Sequence, residues 1–221
     1  MFEEFIKCIG KRLEQTLPGE RAHHKMAPVG RKLISEYLDK SPKPKRSAVL
    51  ILLYPHEGKV YTVFILRPAY DGNHSGQVAF PGGKFEERDL TLEKSALRET
   101  EEEIGVPANE VKVLGRLTAL YIPVSDFMVH PFVGTVSEKP QFLINPKEVE
   151  KIIETELEEL FEDSIVKEKK ILFNSLNREI SAPYFEIRGH TVWGATAMII
   201  SELKEMVKEI ENVDVLSPDR S

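Results

Sequence analysis

The chain has 221 residues, 41% of them hydrophobic, which suits one domain of generous size with its own core. Its formal net charge of −6 argues against a general nucleic-acid binder, which would carry a basic patch or a high pI. The single cysteine, Cys8, excludes an internal disulfide framework and a cysteine-rich zinc site. The chain also lacks an apolar run near the ~20 residues that span a bilayer, and its first residues lack a signal-peptide h-region. We therefore expect a cytoplasmic protein without nucleic-acid or membrane partners.

The N-terminal region is expected to be a helical extension with a linker, over residues 1–44. Apolar residues recur on one helical face between residues 2 and 17, and a second helix is expected over residues 31–38. His23 and His24 would lie in the loop between these helices. They have no further ligand at a metal-binding spacing, so a surface or hydrogen-bonding role is expected. The spare apolar face of the first helix leaves a homodimer open.

The spacing of apolar residues changes from a helical to a strand-like pattern at residue 47, near the start of the expected core domain. Residues 48–54 form a continuous apolar run, as expected of a buried central strand, and residues 60–66 return as a second strand. Such strands alternate with helices farther along, which favours a layered α/β fold. Later elements are expected as strands at 111–120 and 127–136, a hairpin at 184–190 and a last helix at 192–210. The core domain would then span residues 45–211, followed by a polar tail over 212–221.

The chain is organised around residues 76–106, where a glycine-rich turn precedes a strongly acidic helix. Residues 91–104 are good helix formers without an internal Gly or Pro. Thr91 and Asp89 are equal candidates for the N-cap, and Gly105 is a stop signal.

Three glutamates on this helix form a candidate metal site. Glu99, Glu102 and Glu103 are spaced i, i+3 and i+4, so they are expected on one helical face. Like charges at this spacing destabilise a helix by roughly 0.2–0.5 kcal/mol per pair, and a bound cation would offset that cost. Mg²⁺ prefers oxygen ligands and shares its coordination with substrate phosphates. A solvated acidic face is the alternative, and the three carboxylates alone do not decide between the two.

The sequence RETEEEIGV (98–106) resembles the second half of the Nudix box, Arg-Glu-apolar-x-Glu-Glu-x-Gly-apolar. The first half departs from that pattern. Asp89 stands where the box has Glu, and eight residues separate it from Arg98 instead of seven. Thr100 replaces the usual aliphatic residue. The resemblance implies a Nudix-type α/β/α sandwich with a mixed sheet, joined here to the N-terminal helical extension.

The same resemblance implies roles for individual residues. Glu102 and Glu148 are equal candidates for the base that takes a proton from water. Glu148 is a candidate because the resemblance makes residues 148–153 a strand that supplies an extra acid, followed by a short helix at 157–161. Arg98 would position a box acid rather than touch substrate. The implied cofactor is Mg²⁺ or Mn²⁺, held by Glu99, Glu102, Glu103 and a backbone carbonyl at Gly82 or Gly83.

The loop before the box resembles one particular subfamily of Nudix proteins. Arg67 and the segment GQVAFPGG (76–83) are similar to the signature of coenzyme A pyrophosphatases. The second basic residue of that signature falls on Gly72, which weakens the case for a bound 3′-phosphate unless a Lys or Arg elsewhere replaces it. A purely structural pair with a box acid is the alternative for Arg67. The candidate substrate-binding residues are Arg67, His74 and Gln77.

The reaction implied is hydrolysis of a nucleoside diphosphate linkage in a small-molecule substrate. The leading hypothesis is cleavage of coenzyme A to 3′,5′-ADP and 4′-phosphopantetheine. A second hypothesis is hydrolysis of ADP-ribose, NADH or another nucleoside diphosphate derivative. A third is a Nudix-like domain that binds a nucleotide without cutting it, and the intact set of acids argues against that one.

Overall fold

A computed structural model describes residues 1–39, 41, 43–69, 74–173 and 178–210 of the chain. Its helices are α1 (Phe2–Leu13), α2 (Glu20–Lys25), α3 (Ile34–Leu38), α4 (Leu92–Ile104) and α5 (Gly194–Lys208). Its first strands are β1 (Lys45–His56), β2 (Lys59–Leu66), β3 (Val78–Ala79), β4 (Gly82–Lys84), β5 (Lys112–Arg116) and β6 (Leu120–Ile122). The remaining strands are β7 (Phe127–Thr135), β8 (Lys151–Glu156), β9 (Val166–Phe173), β10 (Arg178–Ile187) and β11 (His190–Trp193).

Strand β1 lies at the centre of the larger sheet. It pairs in parallel with β7 and antiparallel with β2 and β4, so the sheet is mixed, as predicted. The sheet follows the order β3-β2-β1-β7-β5, with β6 added to β7 and β8 to β2. Strands β9, β10 and β11 form a second, antiparallel sheet.

Successive residues of β1 serve two different hydrophobic cores, because neighbouring side chains of a strand point to opposite faces. Ile51 and Leu53 belong to the core that includes α1 and α5. Leu50 and Leu52 belong to the core that includes α4. Burying each of these side chains contributes roughly 1.5–3 kcal/mol. Helices cover both faces of the sheet, which confirms the predicted α/β/α class.

The N-terminal extension departs from the predicted helices. Helix α1 ends at Leu13 rather than at residue 17, and the helix expected over 31–38 is present as the shorter α3. The additional helix α2 lies where a loop was expected. His23 lies within α2, not in a loop, and it is fully buried against Glu202 of α5. A surface role for His23 is therefore wrong, whereas the expected hydrogen-bonding role is correct.

The apolar face of α1 is covered within the chain. Phe5, Ile6 and Ile9 are all buried in the core that α5 also joins. This face is thus not available for the homodimer that the sequence left open. The proposed division at residue 44 stays a prediction, although β1 does begin at Lys45.

Two predicted strands are shifted or interrupted. The strand expected over 111–120 is divided into β5 and β6, and a register shift between Val113 and Gly115 accompanies the break. Strand β8 begins at Lys151, so Glu148 lies in the turn before it, where its N–H donates to the carbonyl of Asn145.

Within the part of the chain that the structure describes, no helix has the length and apolar character needed to cross a bilayer. Gly72 and the predicted tail over 212–221 lie outside the described residues.

Candidate active site

The glycine-rich turn brings the acidic helix against the central strand. Residues Gly82 and Gly83 pair with Val49 and Ala48 of β1. A Cβ atom at Gly82 would overlap with the carbonyl oxygen of Ala48, and one at Gly83 would overlap with the carboxylate of Glu99. Only glycine therefore permits this close approach, which is a recognised reason for glycine near a ligand site.

Three carboxylates converge beside this turn. Glu99, Glu103 and Glu148 each offer an oxygen atom within 4.8 Å of the others. Glu103 is 1% exposed, and its Oε2 accepts a hydrogen bond from the N–H of Gly82 at 2.8 Å. Its other oxygen, Oε1, is buried and has no hydrogen-bond partner among the described residues. A buried acceptor of this kind is costly unless a ligand completes it.

The electrostatics of these acids agree with a site for a cation. Burial raises the pKa of Glu103 to about 8, although the N–H of Gly82 and the charge of Arg67 oppose that shift. Burial also raises the pKa of Glu99, against the opposing effect of Arg98. Oxygen ligands that repel one another, with one orphaned buried atom, fit a hard divalent ion such as Mg²⁺ or Mn²⁺.

Glu102 is not brought into this cluster. Its carboxylate is 43% exposed and lies 2.9 Å from Nη1 of Arg98 and 3.5 Å from Nη2 of Arg88. Residues three and four apart share one helical face, so the spacing itself does not separate Glu102 from the other acids. Its ion pairs with the two arginines hold its carboxylate outside the cluster. Its predicted roles as metal ligand and base stay predictions.

Besides Glu102, Arg98 contacts two further acids of the box. Its Nε donates to Oδ1 of Asp89 at 2.6 Å, and its Nη2 lies 2.8 Å from Oε1 of Glu99. The hydrogen bond from Arg98 lowers the pKa of Asp89, which is 4% exposed, to about 2. The same bond raises the pKa of Arg98. Asp89 therefore binds Arg98 even though its side chain is shorter than the Glu of the Nudix box and its spacer to the arginine is one residue longer.

The question of the helix N-cap is also settled. Asp89 ends a short 3₁₀ turn at Glu87–Asp89, and its carboxylate is used by Arg98. Thr91 is the N-cap of α4, where its hydroxyl accepts the N–H of Lys94 at 3.2 Å. Gly105 ends the helix in the left-handed conformation, as expected of a C-cap glycine.

A cavity of about 340 Å³ adjoins the acids and shares Gly82 and Gly83 with them. Its wall includes Arg67, His74 and Gln77, the three predicted substrate-binding residues. The ring of His74 is held on both sides, by Oε1 of Gln77 at 3.1 Å and by the hydroxyl of Ser125 at 3.3 Å. The structure thus brings these three residues to one place, and their contact with substrate remains a prediction.

Two residues of the cavity wall were missed by sequence reasoning. Trp193 is only half-buried and lines the cavity. Arg31 reaches the same cavity from the N-terminal extension, and its Nη2 donates to the carbonyl of Tyr121 at 2.7 Å. No motif in the sequence links residue 31 to the box, because the extension meets the core only through tertiary packing.

Comparison with known proteins gives consistent matches. The model of the NUDIX domain matches residues 44–176. A protein of Yersinia enterocolitica named "Uncharacterized Nudix hydrolase NudL" is 40% identical over 134 residues, which cover 61% of this chain and 67% of the relative. The protein of that name from Yersinia pestis (strain Pestoides F) is 39% identical over 134 residues, covering 61% of this chain and 66% of the relative. The matched segment therefore spans about two thirds of the length of these relatives.

Solved structures agree on the fold. A Nudix hydrolase from M. smegmatis, RenU, superposes with a TM-score of 0.52 at 16% identity, over 76% of this chain and 88% of that one. A MutT/nudix family protein from Enterococcus faecalis also gives a TM-score of 0.52 at 16% identity, over 84% of this chain and 75% of that one. At this level of identity the likeness concerns the fold alone.

Proposed function

Because this chain belongs to the Nudix hydrolase family, we propose that it hydrolyses coenzyme A to 3′,5′-ADP and 4′-phosphopantetheine. The family acts on small nucleotide substrates, so hydrolysis of a nucleoside diphosphate derivative is the common ground of every catalytic alternative. One observation carries the choice of coenzyme A. The residues Arg67, His74 and Gln77 of the coenzyme A-type loop line one cavity directly beside the acid cluster.

The proposed cofactor is Mg²⁺ or Mn²⁺. The residues that would hold it are Glu99 and Glu103, together with the carbonyl of Gly83, and Glu148 lies beside them in the acid cluster. When bound, such an ion neutralises phosphate charge and lowers the pKa of a water ligand. The orphaned Oε1 of Glu103 is the protein atom that most needs this partner.

Side chains of the protein would orient the metal ligands and accept the proton of the attacking water. Arg98 touches Asp89 and Glu99 and acts as a positioning residue, because its bonds fix the direction of the Glu99 carboxylate. Glu148 is exposed and is oriented by Nδ2 of Asn145, which donates to its Oε1 at 3.2 Å. We assign Glu148 as the base, with Oε2 receiving the proton of the attacking water. Glu102 is the alternative base, and its bonds to two arginines disfavour it.

A reducing, cytoplasmic setting accompanies this proposal. Cys8 is a free cysteine in α1 and is only partly exposed. A chain without a disulfide suits the compartment in which coenzyme A and other nucleotide substrates are available.

The test is a substrate panel with purified protein in Mg²⁺ and then in Mn²⁺. The panel contains coenzyme A, dephospho-coenzyme A, ADP-ribose, NADH and a dinucleoside polyphosphate, with products resolved by chromatography. We expect coenzyme A to give the highest kcat/KM and to yield 3′,5′-ADP. A preference for ADP-ribose or NADH would overturn the proposed substrate and leave the hydrolase assignment in place.

A matched variant separates the catalytic hypotheses from a purely binding one. Glu103→Gln replaces the carboxylate that would bind the ion and keeps the shape of the side chain. We expect turnover to fall at least about 100-fold, because a ligand of the ion is lost. Tight nucleotide binding without turnover of any substrate by the wild type would instead favour a non-catalytic domain.

A further inference from the structure

Arg31 places a cation in the wall of the cavity from outside the segment that the NUDIX domain matches. The guanidinium donates through Nη2 to the carbonyl of Tyr121 at 2.7 Å. Its central carbon lies 6.0 Å from the ring centroid of Tyr37, which steadies it from the side of the extension. Pro28 of the same segment also lines the cavity.

Among the described residues, no carboxylate forms an ion pair with this cation, and the charge of Glu20 acts on it only from a distance. No carboxylate of the described residues lies within the 4 Å of an ion pair to Arg31, and the nearby Glu20 accepts the N–H of Ile34 at 2.6 Å. The Nε of Arg31 is buried and has no hydrogen-bond partner in the described parts of the chain. Burial lowers the pKa of Arg31, yet a guanidinium stays protonated in proteins. A partly buried charge with an unused donor is costly, and an anionic ligand would remove that cost.

The extension that carries Arg31 is firmly attached to the core. Nε2 of His23 lies 2.9 Å from Oε2 of Glu202, and Oε1 of Glu202 accepts the N–H of Gly19 at 3.1 Å. Glu202 belongs to α5, and the first turn of that helix lines the same cavity, through Gly194 and Thr196 among others. Arg31 is therefore held on a packed support rather than on a loose arm.

Arg31 is set apart from the acids along the sheet. Gly83 pairs with Ala48, and Ala48 lies opposite His130 of β7. Tyr121, whose carbonyl Arg31 contacts, lies opposite Met128, two residues from His130. Two residues of a strand correspond to about 7 Å, so the guanidinium faces a different part of a bound substrate than the acids do.

We propose that Arg31 binds a phosphate monoester of the substrate that is separate from the diphosphate, and thereby determines substrate specificity. The planar guanidinium, with several N–H donors on one edge, matches the oxygens of a phosphate group. The inference rests on the proposed function, because coenzyme A carries such a monoester at its 3′ position. Arg31 would then take the place of the basic residue that the coenzyme A-type loop lacks at Gly72.

The direct test compares two ligands that differ only in this group. Calorimetry measures the binding of 3′,5′-ADP and of 5′-AMP to the wild type, to Arg31→Ala and to Arg31→Lys. We expect the wild type to prefer 3′,5′-ADP, and Arg31→Ala to lose about 10- to 100-fold of that affinity, the range for a charge-assisted hydrogen bond. Binding of 5′-AMP should change less than about twofold, and Arg31→Lys should recover part of the loss.

Lys32→Ala is the matched control. Lys32 is the neighbouring cation, is exposed, pairs with Glu36 and does not line the cavity. Its removal should leave both affinities unchanged. The same variants are assayed for kcat/KM on coenzyme A and dephospho-coenzyme A, where only the former should suffer from Arg31→Ala.

Three results would overturn the role of Arg31. They are equal losses for both ligands with a lowered melting temperature, an unchanged preference in Arg31→Ala, and a wild type that binds 5′-AMP as tightly as 3′,5′-ADP. The proposed function fails separately, if the wild type turns over ADP-ribose or NADH and not coenzyme A. In that case the binding comparison still decides whether Arg31 reads a monoester.

Discussion

Nε of Arg98 donates to Oδ1 of Asp89 at 2.6 Å, while Nη2 of the same guanidinium lies 2.8 Å from Oε1 of Glu99. One arginine thus connects a buried aspartate to a candidate metal ligand, and the aspartate orients the arginine. Asp89 is 4% exposed and the hydrogen bond from Arg98 lowers its pKa to about 2, so it is ionised at neutral pH. The contact makes Asp89 part of the site even though it does not join the cluster of converging acids.

Asp89→Asn should therefore weaken metal binding, although Asp89 is not one of the converging acids. The substitution keeps the size of the side chain and removes the charge that orients Arg98. We expect metal affinity or kcat to fall about 10- to 100-fold, the usual effect of removing a group that orients a ligand. Titration of Mn²⁺ by electron paramagnetic resonance and steady-state kinetics both measure this. Arg88→Ala is the control, because Arg88 contacts Glu102 and Glu86 at the surface, and an equal loss there would refute the specific role of Asp89.

Gly83→Ala should displace Glu99. The added Cβ would overlap with the carboxylate of Glu99, and no strained backbone angle is involved at this position. We expect loss of metal binding with the fold retained, measured by Mn²⁺ titration and circular dichroism. Gly10→Ala is the control, since a Cβ there meets nothing within 4 Å and alanine favours a helix by about 0.5–1 kcal/mol. Normal metal affinity in Gly83→Ala would show that Glu99 is free to move.

The stability of the metal-free protein should fall as the pH rises. Burial raises the pKa of Glu103 from 4.5 to about 8, so between these values the folded state binds a proton that the unfolded state has released. The stabilisation is fully present below about pH 4.5 and is lost as the pH rises through about 8. Urea unfolding in a chelator at pH 6 and pH 9 should differ by on the order of a few kcal/mol.

Metal and a single substitution provide the controls for that pH effect. Adding Mg²⁺ should restore stability most strongly at the higher pH, where the ligands are already deprotonated. Glu103→Gln carries no titratable group and should remove most of the pH dependence in the chelator. If the free energy of unfolding of Glu103→Gln still fell with pH as in the wild type, the effect would belong to other groups.

His23→Ala should destabilise the chain and release the extension. Nε2 of His23 lies 2.9 Å from Oε2 of Glu202, and both side chains are fully buried. Removing one partner of a buried polar pair costs about 3 kcal/mol. Thermal or urea unfolding measures the change. His24→Ala is the control because its side chain is 36% exposed, and a comparable loss there would contradict the role of the pair.

Some of this site was predictable because its causes are local. The bounds of α4 follow from Thr91 and Gly105, which act as caps through contacts with near neighbours in the chain. The burial of β1 follows from its unbroken apolar run. The Nudix resemblance then supplied the layered fold, which the helices on both faces of the sheet confirm.

The rest depends on contacts between distant segments. Spacing alone placed Glu102 with Glu99 and Glu103, but the arginines on its side of the helix draw its carboxylate away. Glu148 joins the cluster only because the turn before β8 folds back on α4. Arg31 and His23 belong to an extension whose neighbours in space are remote in sequence, so no local pattern could assign them.

The bonds of Glu202 also constrain the order in which the molecule can be completed. This carboxylate accepts the N–H groups of Gly19 and Thr118, so residues made early and midway in synthesis share one acceptor that is made near the end. Domains usually fold from the N-terminal side as the chain emerges from the ribosome. Until α5 has left the ribosome, the extension lacks its bonds to Glu202, and the cavity lacks the wall formed by the first turn of that helix. A nascent chain stalled before residue 202 should hence lack a working pocket, even with the whole acidic box already translated.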